Sequence, residues 1–189
     1  MIPQDLIKEA EEFAFKEAAD FQTPAPLHLV VANEAGQKLA KALGANEDIV
    51  LLGTLLMDCK LGYARSIGKP LEHEELSRQA AEAIISKYTN IRPDEAANIY
   101  QCILQHHGGV QFFSRESEVT CNADCYRFLS IKGLVSGIKG FRDMPMSELM
   151  ELFNQKLEEK WNALSLDICK QELEPQYRAI KEFLAQYKE

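Results

Sequence analysis

Ile49-Val50-Leu51-Leu52-Gly53-Thr54-Leu55-Leu56-Met57-Asp58-Cys59-Lys60-Leu61-Gly62 decides how the rest of this chain is read. A long apolar run leads into a single carboxylate, and Leu55 and Leu61 lie three residues to either side of Asp58, on one helical face. A carboxylate buried there without a partner forfeits its hydration, so it must protonate, meet a cation or bind a metal. The plain alternatives are a helix-end carboxylate or an ordinary salt bridge. The positions of the histidines and of a second aspartate, Asp124, favour the metal.

Working outward, helical periodicity recurs along the whole chain. Gln4 to Ala19 carries Leu6, Ile7, Ala10, Phe13, Ala14 and Ala18 on one side, and Thr23-Pro24-Ala25-Pro26 ends that register. A second helix is expected from Pro26 to Leu43, with His28 in its first turn and Gly44 as its stop. Asn46 is placed to cap a third helix, Glu47 to Lys60, that ends with Asp58. Gly62 to Leu71, with two glycines and Pro70, reads as a loop. A fourth helix, Glu72 to Tyr88, begins at His73. A fifth opens at Pro93-Asp94-Glu95 and ends in His106-His107-Gly108-Gly109. A sixth, Ser117 to Ile131, carries Cys121, Asp124 and Phe128 on one stripe. Gly133, Gly137 and Gly140 are expected to break up the next segment, and two further amphipathic helices follow, Met146 to Ala163 and Leu166 to Tyr187, with a kink at Pro175. With no strand pattern and no repeat, the chain reads as all-α. Its length of 189 residues suits one domain: an N-terminal helix (1–22), a core (26–131) and a C-terminal elaboration (146–188).

A formal charge of −8 argues against nucleic acid or an anionic membrane as the main partner, since both attract basic surfaces. The start, Met1-Ile2-Pro3-Gln4-Asp5, has no basic or apolar leader pattern, and no apolar stretch is long enough to span a bilayer; the expected location is cytoplasmic. Cys59, Cys102, Cys121, Cys125 and Cys169 are odd in number and form no Cys-x-x-Cys pair, so they read as reduced core residues. Cys121 and Cys125 stand one turn apart, a spacing open to a metal, but without further sulfur donors the core reading prevails.

All four histidines, His28, His73, His106 and His107, fall near predicted helix ends beside apolar stripes. Together with Asp58 and Asp124 they form a set of imidazole and carboxylate donors suited to Fe, Mn, Ni, Co or Zn. Their order resembles the HD-domain superfamily of metal-dependent phosphohydrolases. Leu27-His28-Leu29 is similar to that superfamily's first histidine motif, Leu56-Met57-Asp58 to its His-Asp pair, and Asn122-Ala123-Asp124 to its final aspartate. His73, and His106-His107 after Ile103-Leu104-Gln105, resemble the extra histidines that serve a second ion. The resemblance spans about Pro26 to Ile131. It departs at the pair, where Met57 takes the histidine's place with a thioether that is a poor donor for such metals.

The resemblance implies an all-α HD-like bundle, one or two divalent transition-metal ions held by His28, Asp58, His73, His106, His107 and Asp124, and hydrolysis of a nucleotide or another small phosphate ester. Asp58 and Asp124 would then be the catalytic carboxylates. Lys60 and Arg127 would contact phosphate, with Arg65 and Arg115 as further cations and a surface ion pair as the plain alternative for Arg127. Two rival readings are a catalytically silent HD-fold module that binds a ligand or partner, and an HD-like di-iron oxygenase. A purely structural helical protein would instead pair Asp58 and Asp124 with lysine or arginine.

Overall fold

The computed structural model describes residues 2–187 and contains helices and turns, with no strand among the described residues. The helices are α1 (Gln4–Phe21), α2 (Pro26–Leu43), α3 (Glu47–Leu56), α4 (Leu61–Ser66), α5 (His73–Ile85), α6 (Pro93–Leu104), α7 (Arg115–Leu129), α8 (Ile131–Gly140), α9 (Met146–Ala163) and α10 (Asp167–Ala185). A 3₁₀ turn, Pro70–Glu72, leads into α5.

Local chemistry sets several of the ends. The Asn46 side chain accepts hydrogen bonds from the Asp48 and Ile49 amides, and Glu47 and Asp48 complement the positive end of α3. Gly44 closes α2 in the left-handed conformation at φ 65°. Ser114 caps α7 by accepting from the Ser117 amide.

α2, α3 and α7 form the centre, packed against one another. On one side α1, α5 and α6 close a core of Leu6, Ala10, Ala14, Leu52, Leu56, Ile99 and Ile103. The alanines of α1, spaced four apart, let its backbone approach α3 closely. On the other side α8, α9 and α10 close a second core around Leu39, Val119, Phe128, Phe153, Leu157 and Ile180. α7 lies between the two and is buried from Val119 to Leu129 without interruption, so its polar residues Asn122, Asp124 and Arg127 are interior groups.

Four expectations need correction. α3 stops at Leu56, and Met57 to Lys60 form a turn, which places Asp58 just beyond the helix. The expected loop at 62–71 contains α4, whose Gly62 sits where a Cβ would meet Phe21 Cβ at 2.4 Å and the Thr23 carbonyl at 2.6 Å. The glycine-rich segment after α7 is helical: Gly133 lies against the Arg127 carbonyl, and Gly137 against Phe153 and His28. Tertiary contact too close for any side chain selects glycine there and offsets its cost of about 1 kcal/mol in a helix. α10 runs on through Pro175 as one helix. The five cysteines are free and buried, and the Cys125 thiol donates to the Cys121 carbonyl.

Candidate metal centre

Asp58, in the turn after α3, is 1% exposed. Around it gather His73 from the first residue of α5 and His106 and His107 from the turn after α6; suitable donor atoms of all four lie within 4.8 Å of one another. Gly108, at φ 95°, provides the left-handed residue that turns the chain immediately after the two histidines.

The proton positions follow from the partners. His73 Nδ1 is 2.7 Å from the Pro70 carbonyl and His106 Nδ1 is 2.7 Å from the Ile103 carbonyl. A carbonyl only accepts, so both Nδ1 atoms carry hydrogen and both Nε2 atoms present lone pairs in the neutral rings. These face Asp58 Oδ1 at 3.3 Å and 3.4 Å. Asp58 Oδ1 and His106 Nε2 are buried and have no hydrogen-bond partner. Two buried acceptors without a donor thus face each other beside the His73 Nε2 lone pair, an arrangement that needs a proton or a cation. Donors held about 2.1 Å from a divalent transition metal lie about 3.0–3.4 Å apart in octahedral or tetrahedral geometry. The distances from Asp58 Oδ1 to the His73 and His106 nitrogens fit that range, and the backbone carbonyls behind the rings fix their tautomers as partners of metal-binding histidines do.

His107 differs. Its Nδ1 is 2.8 Å from the Lys160 ammonium, which only donates, so the neutral ring keeps its hydrogen on Nε2, 3.2 Å from His73 Nε2. Burial, then His106 and Lys160, push the His107 pKa down to about 2. Burial opposes protonation of His73 as well, but the Asp58 carboxylate outweighs it and its pKa is raised.

A second layer of charge lies behind Asp58. Arg127 Nη2 is 2.7 Å from Asp58 Oδ2 and also contacts Asp124 Oδ1, and Lys160 Nζ is 2.6 Å from Asp124 Oδ2. Arg127 and Lys160 are themselves 4% and 1% exposed. Burial would raise both carboxyl pKa values, but Arg127 above all holds each below the usual range, helped by His106 at Asp58 and by Lys160 at Asp124. Two carboxylates and two cations therefore neutralise one another inside the protein, at ion-pair distance, which is the pairing expected of a purely structural helical protein, while Asp58 Oδ1 stays outside it.

The residues singled out in the sequence separate accordingly. Asp58, His73, His106 and His107 meet. Asp124 faces Arg127 and Lys160. His28 Nε2 is 3.1 Å from the Gly133 carbonyl, its ring packs edge-on against Phe128 and Phe141, and burial lowers its pKa to about 4. Lys60 pairs with Glu17 at 2.8 Å and lies over the Phe13 ring, and Arg115 donates to the Leu43 carbonyl. Met57 is fully buried. Lys160 went unnoticed in the sequence, although a lysine continuing the buried stripe Leu149, Phe153, Leu157 of α9 is the signal that marks it.

A cavity of about 400 Å³ opens over Asp58, His73 and His107. Arg65, Arg127, Lys156 and Lys160 bring positive charge to its wall, Glu74 and Glu159 negative charge, and Leu61, Phe128, Phe141 and Leu152 an apolar side.

Two solved structures share this architecture. A Lactobacillus plantarum protein matches with a TM-score of 0.74 at 19% identity, over 100% of this chain and 97% of that one. An HD-superfamily hydrolase from Bacillus thuringiensis matches with a TM-score of 0.65 at 16% identity, over 97% of this chain and 95% of that one. No family model matches the sequence, and none of the curated proteins does. The chain thus shares an all-helical fold with these two proteins, one of which is an HD-superfamily hydrolase, and it carries a buried Asp/His cluster that could hold a metal ion. No helix among the described residues is long and apolar enough to cross a membrane.

Proposed function

We propose that this protein is a metal-dependent hydrolase of phosphate esters or anhydrides, acting on a nucleotide or another small phosphorylated molecule. One observation carries the reading: the lone pairs of His73 and His106 and the unpartnered Asp58 Oδ1 converge at the floor of a cavity with cations in its wall. Asp58, His73 and His106 would hold a divalent transition metal, with His107 as an adjacent donor once Lys160 releases it. Such an ion supplies Lewis acidity, turning water into a nucleophile near neutral pH and neutralising charge on an attacked phosphoryl group.

The chain's own residues supply the rest. Arg65 and Lys156 line the cavity where a phosphate can be bound and oriented. Phe128, Phe141 and Leu152 offer an apolar wall for a base or similar ring and keep water from that side. Because Arg127 and Lys160 already balance Asp58 and Asp124, a metal adds uncompensated positive charge, which favours an anionic ligand. That same balance favours a second reading, a silent module that binds an anion without turnover.

Elemental analysis of protein purified without a metal-affinity tag tests the first reading. Near-stoichiometric transition metal, lost in His73→Ala and His106→Ala, together with hydrolysis of p-nitrophenyl phosphate or of one member of a nucleotide panel, is the expected result. Wild-type protein that stays empty after incubation with Mn, Fe, Ni, Co or Zn refutes it. Metal without hydrolysis favours the silent module.

A further inference from the structure

We infer that the centre takes one metal ion per chain, because the Arg127 guanidinium permanently occupies the place of a second cation between Asp58 and Asp124. The inference rests on the metal reading above and adds the composition of the centre.

The remaining donors of the set that the sequence resemblance implies are Asp58 Oδ2, the Asp124 oxygens and His28, and a second ion between the two carboxylates would draw on these. None of these is free. Asp58 Oδ2 is 2.7 Å from Arg127 Nη2, and the same nitrogen reaches Asp124 Oδ1, so one guanidinium nitrogen joins the two carboxylates. The other Asp124 oxygen faces Lys160 Nζ at 2.6 Å. His28 Nε2 faces the Gly133 carbonyl, which only accepts, so that nitrogen carries hydrogen.

Arg127 cannot easily leave. It is 4% exposed, lies in the fully buried part of α7, and has its guanidinium carbon 5.6 Å from the Phe128 ring centroid. Withdrawing it would leave two buried carboxylates with Lys160 as the remaining cation, whereas its presence makes that group neutral. The donors left over, Asp58 Oδ1 with His73 and His106 Nε2, lie within 4.8 Å of one another, close enough for a single ion. One exchangeable metal and one fixed guanidinium then share the Asp58 carboxylate, each on its own oxygen.

Mn(II) titration followed by native mass spectrometry tests this, with electron paramagnetic resonance on the loaded protein. One ion per chain and a signal of isolated Mn(II) are expected for the wild type. Arg127→Met, with its helical circular dichroism retained, is expected to bind two ions and to give an exchange-coupled signal. Arg127→Lys, which keeps the charge, is expected to bind one. Two ions in the wild type overturn the inference and leave the metal-hydrolase reading standing. A folded Arg127→Met that still takes one ion also overturns it. No ion in the wild type overturns both. If Arg127→Met does not fold, the wild-type stoichiometry and spin coupling decide.

Discussion

Lys160 and Asp124 provide the most direct measure of how much of this interior is organised by charge. The pair is separated by 2.6 Å with both side chains essentially inaccessible, and Lys160 also donates to His107 Nδ1 at 2.8 Å. Burial lowers the Lys160 pKa, but Asp124 more than offsets this and it is raised, so the amine is charged at neutral pH. Breaking a buried pair by removing one partner costs about 3–5 kcal/mol, because the surviving charge is left unmatched. Asp124→Asn strands Lys160, whose remaining carboxylate is the half-exposed Glu159 at 3.5 Å. Lys160→Met leaves Asp124 with Arg127 alone, which places its cost near the lower end, about 3 kcal/mol. In the double variant neither charge is stranded and the Arg127 to Asp58 contact persists, so the loss should not exceed that of either single, about 3 kcal/mol or less where the singles sum to about 6 or more, a coupling of about 3 kcal/mol. Urea denaturation at pH 7 with EDTA, followed by circular dichroism, measures all four corners of the cycle, and an unchanged m-value certifies that stability alone has moved. Losses that add to within about 0.5 kcal/mol, or a Lys160→Met variant as stable as the wild type, would refute the argument that these charges act as a unit.

Two further outcomes are expected away from that pair. His28 has its pKa lowered from 6.5 to about 4 in the fold, chiefly by burial, so the unfolded chain binds the extra proton between those values. Its contribution is therefore complete above pH 6.5 and is lost as the pH falls through 4. The loss between pH 7 and pH 5 is about 2 kcal/mol, at 1.36 kcal/mol per pH unit. Unfolding free energies from urea denaturation of wild type and His28→Gln should diverge by that amount between pH 7 and pH 5, and parallel acid limbs would count against it. Gly53 marks the close approach of α3 to α6 and α7, where a Cβ would lie 2.7 Å from Cys102 Cβ and 2.8 Å from Thr120 Oγ1. Gly53→Ala should cost about 1–3 kcal/mol through overpacking, read as a lowered thermal midpoint, and an unchanged midpoint would contradict so close a packing.

The all-α class was legible in the sequence because apolar residues recur at helical spacing from Leu6 to Leu184, and a helix closes its backbone hydrogen bonds locally. The same locality made Asn46, Gly44 and the start of α6 at Pro93 readable, since a cap depends on its immediate neighbours. The sequence also pointed to His28, Asp58, His73, His106, His107 and Asp124 as one donor set, by placing charged or imidazole side chains beside apolar stripes; Asp58, His73, His106 and His107 meet in the fold, whereas His28 faces the Gly133 carbonyl and Asp124 faces Arg127 and Lys160. What faces a buried residue is a different matter. Asp58, Asp124 and Lys160 come from three distant parts of the chain, and periodicity puts each on an inward face without saying who stands opposite. Only the packing of α7 against α3 and α9 turned Arg127 and Lys160 onto the carboxylates, and only the approach of α8 set the Gly133 carbonyl against His28. α4 and α8 were hidden for the same reason: their glycines weaken a helix locally, and the contacts that offset this lie on other helices.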